Sequence, residues 1–245
     1  MKRRYILLGL ILILAATLLI EYYTNWRFPK QDLILVGVPT LEIGKSQTFS
    51  YDYQLERVGT YSYTITGKEG ELYTMVCNTD VNSSGQIIHL ESNFIFNDQY
   101  KPNSYLLTVL QGDEVNMIDV SFENGNVISK VSFNNDTVTT SNEFPEGTFL
   151  VENNMPGLWE ILLISSNMEQ GQRYNAMVFI PQGGSLFNLE FYVNNDLQTL
   201  NLNGEQYSCT VIQESRLELR FYIYEGTLLQ MRNENQDVIF TRLLA

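Results

Sequence analysis

From about residue 46 onward the chain alternates apolar and polar residues with a period of two, and clusters of Gly, Asn and Asp interrupt the alternation at short intervals. In TFSYDYQL (48–55), Phe49, Tyr51, Tyr53 and Leu55 alternate with Thr48, Ser50, Asp52 and Gln54; Tyr61, Tyr63 and Ile65 do the same in TYSYTIT (60–66). Successive side chains of a strand point to opposite faces, so this rhythm specifies a sheet with one buried and one wet face. It predicts further strands over 71–79, 86–96, 104–110, 114–122, 126–133, 136–140, 173–180, 186–193, 197–202, 206–213, 216–224, 227–232 and 236–243. Asn124-Gly125, Asn203-Gly204 and Glu225-Gly226 fall between consecutive strands, where tight hairpins need positive φ. Hairpin after hairpin makes neighbours antiparallel, so the expected sheet is a meander.

One segment breaks the period. In MPGLWEILLISSNMEQG (155–171), Pro156 suits a helix start and Gly171 a stop. Leu158, Ile161 and Leu162 share a face, and Trp159 and Leu163 widen the apolar arc, so such a helix must lie against the buried face of the sheet. The fold class expected is therefore all-β with one central helix, as a single domain over 46–245.

The N-terminus follows different rules. Lys2-Arg3-Arg4 forms a basic head (1–4), and the run 5–20 carries no charge. That run reaches about 24 Å as a helix, short of the ~30 Å hydrocarbon layer. Tyr5 at its start, and Tyr22, Tyr23 and Trp26 after it, suit the interfaces that make up the difference. We expect a transmembrane signal-anchor over 5–23 and a linker over 24–45, where Pro29, Gly37, Pro39 and Gly44 interrupt any periodicity. The basic head places the N-terminus in the cytoplasm and the β-domain on the extracytoplasmic side of the cell membrane, as a single-pass protein. The alternative is a cleaved signal peptide, whose nearest site after Ala16 has Leu14 where a small residue is wanted.

Charge and rare residues narrow the chemistry. With 15 Lys+Arg against 28 Asp+Glu, the net charge is −13, which argues against a nucleic-acid partner. One His and two Cys cannot build a usual zinc site, and no nucleotide-binding glycine motif occurs, so no metal or cofactor is expected. His89 lies on the polar side of QIIHLES (86–92) and reads as a surface residue. Cys77 and Cys209 allow either a disulfide, contributing about 4 kcal/mol by closing a long loop, or two buried thiols packed as small apolar groups. The tripeptides Asn82-Ser83-Ser84 and Asn135-Asp136-Thr137 match the N-glycosylation pattern in predicted turns.

The order and spacing of several segments resemble exported β-domains of unknown function that share the fold of bacterial lipoprotein carriers. The segments are FSYDYQLERVGTYSYTIT (49–66), YKPNSYLLTV (100–109), LNLNGEQYSCTVIQE (200–214) and FYIYEGTLLQMRNENQDVIFTRL (221–243). The resemblance implies that the antiparallel sheet curls into a half-barrel around the helix. It implies binding of a lipid or other hydrophobic ligand in the concave apolar face, or a role with an envelope partner. It assigns no individual residue a role. An anchored chain departs from freely diffusing carriers, which leaves local capture, presentation or scaffolding. The residues expected to line such a pocket are Leu158, Trp159, Ile161 and Leu162. The competing reading is that the helix merely fills the barrel. An adhesion-like interaction module and a glycan hydrolase are further readings, the last lacking any recognisable catalytic motif.

Overall fold

The computed structural model describes residues 30–36, 42–83, 85–133 and 136–244. The expected basic head and membrane span lie outside these residues, as do Ser84 and Asn135 of the two glycosylation tripeptides. Among the described residues no helix is long and apolar enough to cross a membrane.

Among the described residues there are seventeen strands and one α-helix. The first half runs β1 (Lys30–Asp32), β2 (Ser46–Tyr53), β3 (Glu56–Glu69), β4 (Leu72–Ser83), β5 (Gln86–Asn97), β6 (Pro102–Gln111), β7 (Glu114–Glu123), β8 (Asn126–Phe133) and β9 (Asp136–Glu143). Next come β10 (Phe149–Leu150) and α1 (Pro156–Ile164). The second half is β11 (Arg173–Ile180), β12 (Ser185–Val193), β13 (Gln198–Leu202), β14 (Glu205–Glu214), β15 (Leu219–Tyr224), β16 (Thr227–Asn233) and β17 (Val238–Arg242). The hairpin signals act as expected: Asn124 and Gly125 have φ of 51° and 76°, Asn203 and Gly204 of 52° and 87°, and Glu225 and Gly226 of 48° and 73°. Two positive φ values in succession define the turn whose twist matches that of the strands it joins.

Strands β2 to β9 form one antiparallel meander, and β11 to β17 a second antiparallel run in which β14 pairs with both β12 and β13. The two join where β17 pairs antiparallel with β2, Phe240 opposite Tyr51. The sheet is thus continuous through its middle and open at its ends, which are β9 on one side and β1 with β10 on the other. It surrounds α1, and every residue from Pro156 to Leu163 is buried. A helix apolar on all sides is stable only when wrapped in this way.

Two sequence expectations need correction, and a third point decides an alternative that the sequence left open. The helix ends at Ile164 rather than Gly171, because Ser165 and Ser166 are drawn into pairing: Ser166 bridges Leu35, and the Val36 N–H donates to the Ser165 carbonyl at 2.9 Å. The supposed linker is therefore part of the domain over 30–36, where β1 pairs in parallel with β11 and Leu33 is buried. The third concerns the cysteines. Cys77 lies in the main core inside the sheet, whereas Cys209 packs with Leu200, Leu202, Val211, Tyr222 and Leu229 in a second, smaller core. Tyr222 and Phe221 point to opposite faces of β15, and Phe221 belongs to the main core, so the second core coats the outside of the sheet. Both thiols are free and buried, and the disulfide is not formed.

Candidate functional site

The helix is seated by polar contacts as much as by apolar packing. Gly157 meets the sheet closely: its N–H is 3.1 Å from the Tyr61 hydroxyl, and a Cβ there would lie 2.4 Å from that oxygen and 2.5 Å from Met75. The Tyr61 hydroxyl thus accepts one of the N–H groups that a helix start leaves without an intrahelical partner. The Trp159 indole donates to the Glu152 carbonyl at 2.7 Å, and the Tyr100 hydroxyl lies 2.9 Å from the Leu158 carbonyl.

Glu160 is the one charged residue on α1, and its carboxylate is buried. Arg242 of β17 pairs with it at 2.5 Å, Tyr63 donates to it at 2.8 Å, and the Leu228 N–H of β16 donates at 3.1 Å. The same guanidinium donates to the Leu228 carbonyl and to Gln47, and lies over the Phe49 ring. Burial raises the Glu160 pKa, and Arg242, Tyr63 and the Leu228 N–H oppose the shift. Removing one partner of such a pair leaves a buried charge uncompensated, which typically destabilises by about 3–5 kcal/mol. The pair therefore ties helix, β16 and β17 into one unit.

Glu152, at the approach to the helix, is also fully buried. Tyr105 donates to its Oε1 at 2.9 Å, while among the described residues its Oε2 and the Ser92 hydroxyl have no hydrogen-bond partner. Burial pushes its pKa up to about 7, with Ser92, Tyr105 and Cys77 near enough to counter that in part. Burial likewise pushes the Cys77 thiol well above its ordinary range, with the Glu152 charge adding to the effect. A thiol held in this form is a packing group rather than a nucleophile.

Leu158, Trp159, Ile161 and Leu162 have no exposure at all. They fill the barrel, with Trp159 against Phe191 and Phe221 at ring separations of 6.4 and 5.5 Å, and they line none of the clefts described here. The expectation of a pocket along the helix face is corrected accordingly. His89 is on the outer face as expected, its Nδ1 2.7 Å from Asp80 Oδ1.

The apolar opening lies instead where the chain leaves β9. A cleft of 440 Å³ is lined by Tyr100 from the β5–β6 turn, Pro102 of β6, Phe122 of β7, Phe144 and Pro145 from the segment leading into β10, and Phe149 of β10. Phe122 and Phe144 meet edge-on at 4.8 Å, and Tyr100 and Phe149 at 6.2 Å. The Phe144 N–H donates to the Gly125 carbonyl at 2.7 Å, pinning the segment to the β7–β8 turn. Thr148, buried and with no hydroxyl partner among the described residues, also lines the cleft, and Lys101 and Glu146 stand at its rim 3.9 Å apart. Its volume and aromatic lining are those of small-molecule sites. The four other clefts described measure 240–390 Å³; three are lined largely by charged and amide side chains, and the fourth by Val58, Gly59, Thr60, Val81 and Ile87 with Arg57, Asp80 and Asn82. Sequence reasoning missed this site. Its available signal was FPEGTFL (144–150), where two Phe sit in a stretch with turn residues and no alternation.

No family model and no curated protein matches the sequence. Among solved structures, the chain is similar to a β-barrel-like protein of the domain of unknown function DUF1849 from Brucella abortus. The TM-score is 0.52 at 14% identity, over 82% of this chain and 94% of that one. A DUF1089 family protein from Pseudomonas aeruginosa gives a TM-score of 0.37 at 10% identity, over 78% and 92% of the two chains. The first likeness shows a β-barrel-like fold.

Proposed function

We propose that this protein is a non-catalytic, membrane-anchored binding domain on the extracytoplasmic side, which holds the apolar part of a lipid-like ligand in the cleft at the opening of the sheet. The observation that carries this reading is the cleft of 440 Å³ with three Phe, one Tyr and two Pro in its wall. Binding would proceed by removing the ligand's apolar surface from water, worth roughly 25 cal/mol per Å² before the entropy of association is subtracted. The basic head and apolar run at the N-terminus support the anchor, and the resemblance to the lipoprotein-carrier group supports the ligand class. A binding role rather than catalysis fits the chemistry of the interior, where Cys77, Ser92 and Glu152 are all buried.

The test is photo-crosslinking of the full chain, in phosphatidylcholine nanodiscs, with a diazirine-bearing fatty acid. Labelled peptides should contain Phe122, Phe144 or Phe149, and Phe144→Asp should abolish that labelling. Labelling confined to residues 5–23, or spread evenly over the domain, would sink the reading.

A further inference from the structure

The two free ends of the sheet are finished differently. On one side the outer edge of β11 is covered along its length: β1 pairs with Arg173 to Asn175, and β10 with Val178 and Phe179. Leu33 and Val151 extend that cover by donating to the carbonyls of Asn175 and Phe179 at 2.8 and 3.1 Å. On the other side stands β9. It pairs with β8 over eight consecutive residues without a register shift, all eight are exposed, and among the described residues nothing pairs with its outer edge. Proteins ordinarily guard such an edge with Lys, Pro, a bulge or a covering segment. DTVTTSNE contains neither Lys nor Pro, and its register is unbroken.

The surface beside this edge is apolar on its concave side. Val138 of β9 lies opposite Val131 of β8, on the same face as the buried Ser129 and Val127. Val131, Phe133 and Val138 remain 40%, 54% and 62% exposed. An incoming strand would pair its backbone with β9 and lay alternate side chains over these three residues. Charge selects which strand. Asp136 and Glu143 close the two ends of β9, about 24 Å apart at strand rise, and the strand carries no basic residue. Glu123 lies in the same cross-strand row as Glu143, with Asn126 between them. Two copies of β9 paired antiparallel along their full length would set Asp136 against Glu143 at both ends, an unfavourable arrangement.

We propose that β9 is a docking edge for an extended segment of a partner protein, with alternating apolar residues flanked by Lys or Arg, which adds to the sheet as a further strand. This site is separate from the cleft, and its test is independent of ligand binding.

The probe is a blocked nonapeptide of alternating Thr and Val with Lys at each end, titrated onto the full chain in phosphatidylcholine nanodiscs. Its counterpart with Glu at each end serves as the comparison, and amide hydrogen exchange locates the binding. The Lys peptide should slow exchange within 136–143, and the Glu peptide should bind about tenfold more weakly. Val138→Lys, at an exposed position, should weaken the Lys peptide about tenfold without moving the unfolding transition. Equal binding of the two peptides would overturn the proposal, as would protection elsewhere in the sheet. So would protection, in the chain alone, of the outward-pointing β9 amides that do not bond β8, which would mean that its own residues or a second copy occupies the edge.

Discussion

The sheet buries both of its faces along β14 to β16 and only one along β5 to β8. In the first region Phe221 and Met231 face α1, while Tyr222 and Leu229 face the outer core built on the β13–β14 hairpin. In the second, the concave side joins the main core and the convex side is wet, until at β9 neither side is covered. The same alternating pattern serves both, so alternation alone does not say how many faces a sheet buries. That depends on whether a later hairpin folds back over the outside.

This contrast predicts a gradient of sensitivity across one continuous sheet. The largest effect is expected at the seat of the helix. Glu160→Ala leaves the Arg242 guanidinium buried without its carboxylate, and should lower unfolding free energy by about 3–5 kcal/mol in urea titrations followed by tryptophan fluorescence. Replacing both residues by Met should recover most of that loss, since paired removal leaves no orphaned charge.

A comparable effect is expected from pH. Glu152 binds its proton more tightly in the folded chain, near pH 7, than in the unfolded chain, near its ordinary 4.5. Its contribution to stability is therefore complete below pH 4.5 and is lost as pH rises through 7, a fall of about 3 kcal/mol. Glu152→Gln should flatten that dependence and be the more stable protein at pH 8. A wild-type chain whose stability is flat between pH 5 and 8, after allowance for other groups, would contradict the buried site described.

The outer core should respond less. Leu202→Ala removes a side chain from a thin layer that is 8% exposed at this position, and about 2 kcal/mol is expected from the same urea titration. At β9 the effect should nearly vanish: Val138→Thr is expected within about 0.5 kcal/mol of wild type. A loss at Val138 equal to that at Leu202 would show that the edge is covered after all.

Much of the strand layout was legible because hairpins encode themselves locally. Asn124-Gly125 and Asn203-Gly204 mark turns whose φ values only such residues adopt readily, and the strands on either side carry the period of two. β1 and β10 were not legible, since three and two residues hold no period and their parallel pairing with β11 is set from far away in the chain. The helix announced itself by composition, yet composition does not separate a helix that lines a cavity from one that fills it. Glu160 held the better clue. A lone carboxylate within LWEILLI requires a partner, but that partner is 82 residues away and nothing local names it. Cys77 and Cys209 were indistinguishable as candidates for pairing until register placed them on opposite faces of the sheet.

The joint between β2 and β17 sets the order of assembly. Each meander can form from neighbouring hairpins, whereas Tyr51 and Phe240 meet only after a loop of nearly 190 residues has closed. That closure carries an entropic penalty on the order of 5 kcal/mol, so it should be the slow step of folding. A cut in the segment between β9 and β10 would break no strand pairing, because those two strands stand at opposite ends of the sheet. Two fragments divided there should find one another and rebuild the same sheet across its centre.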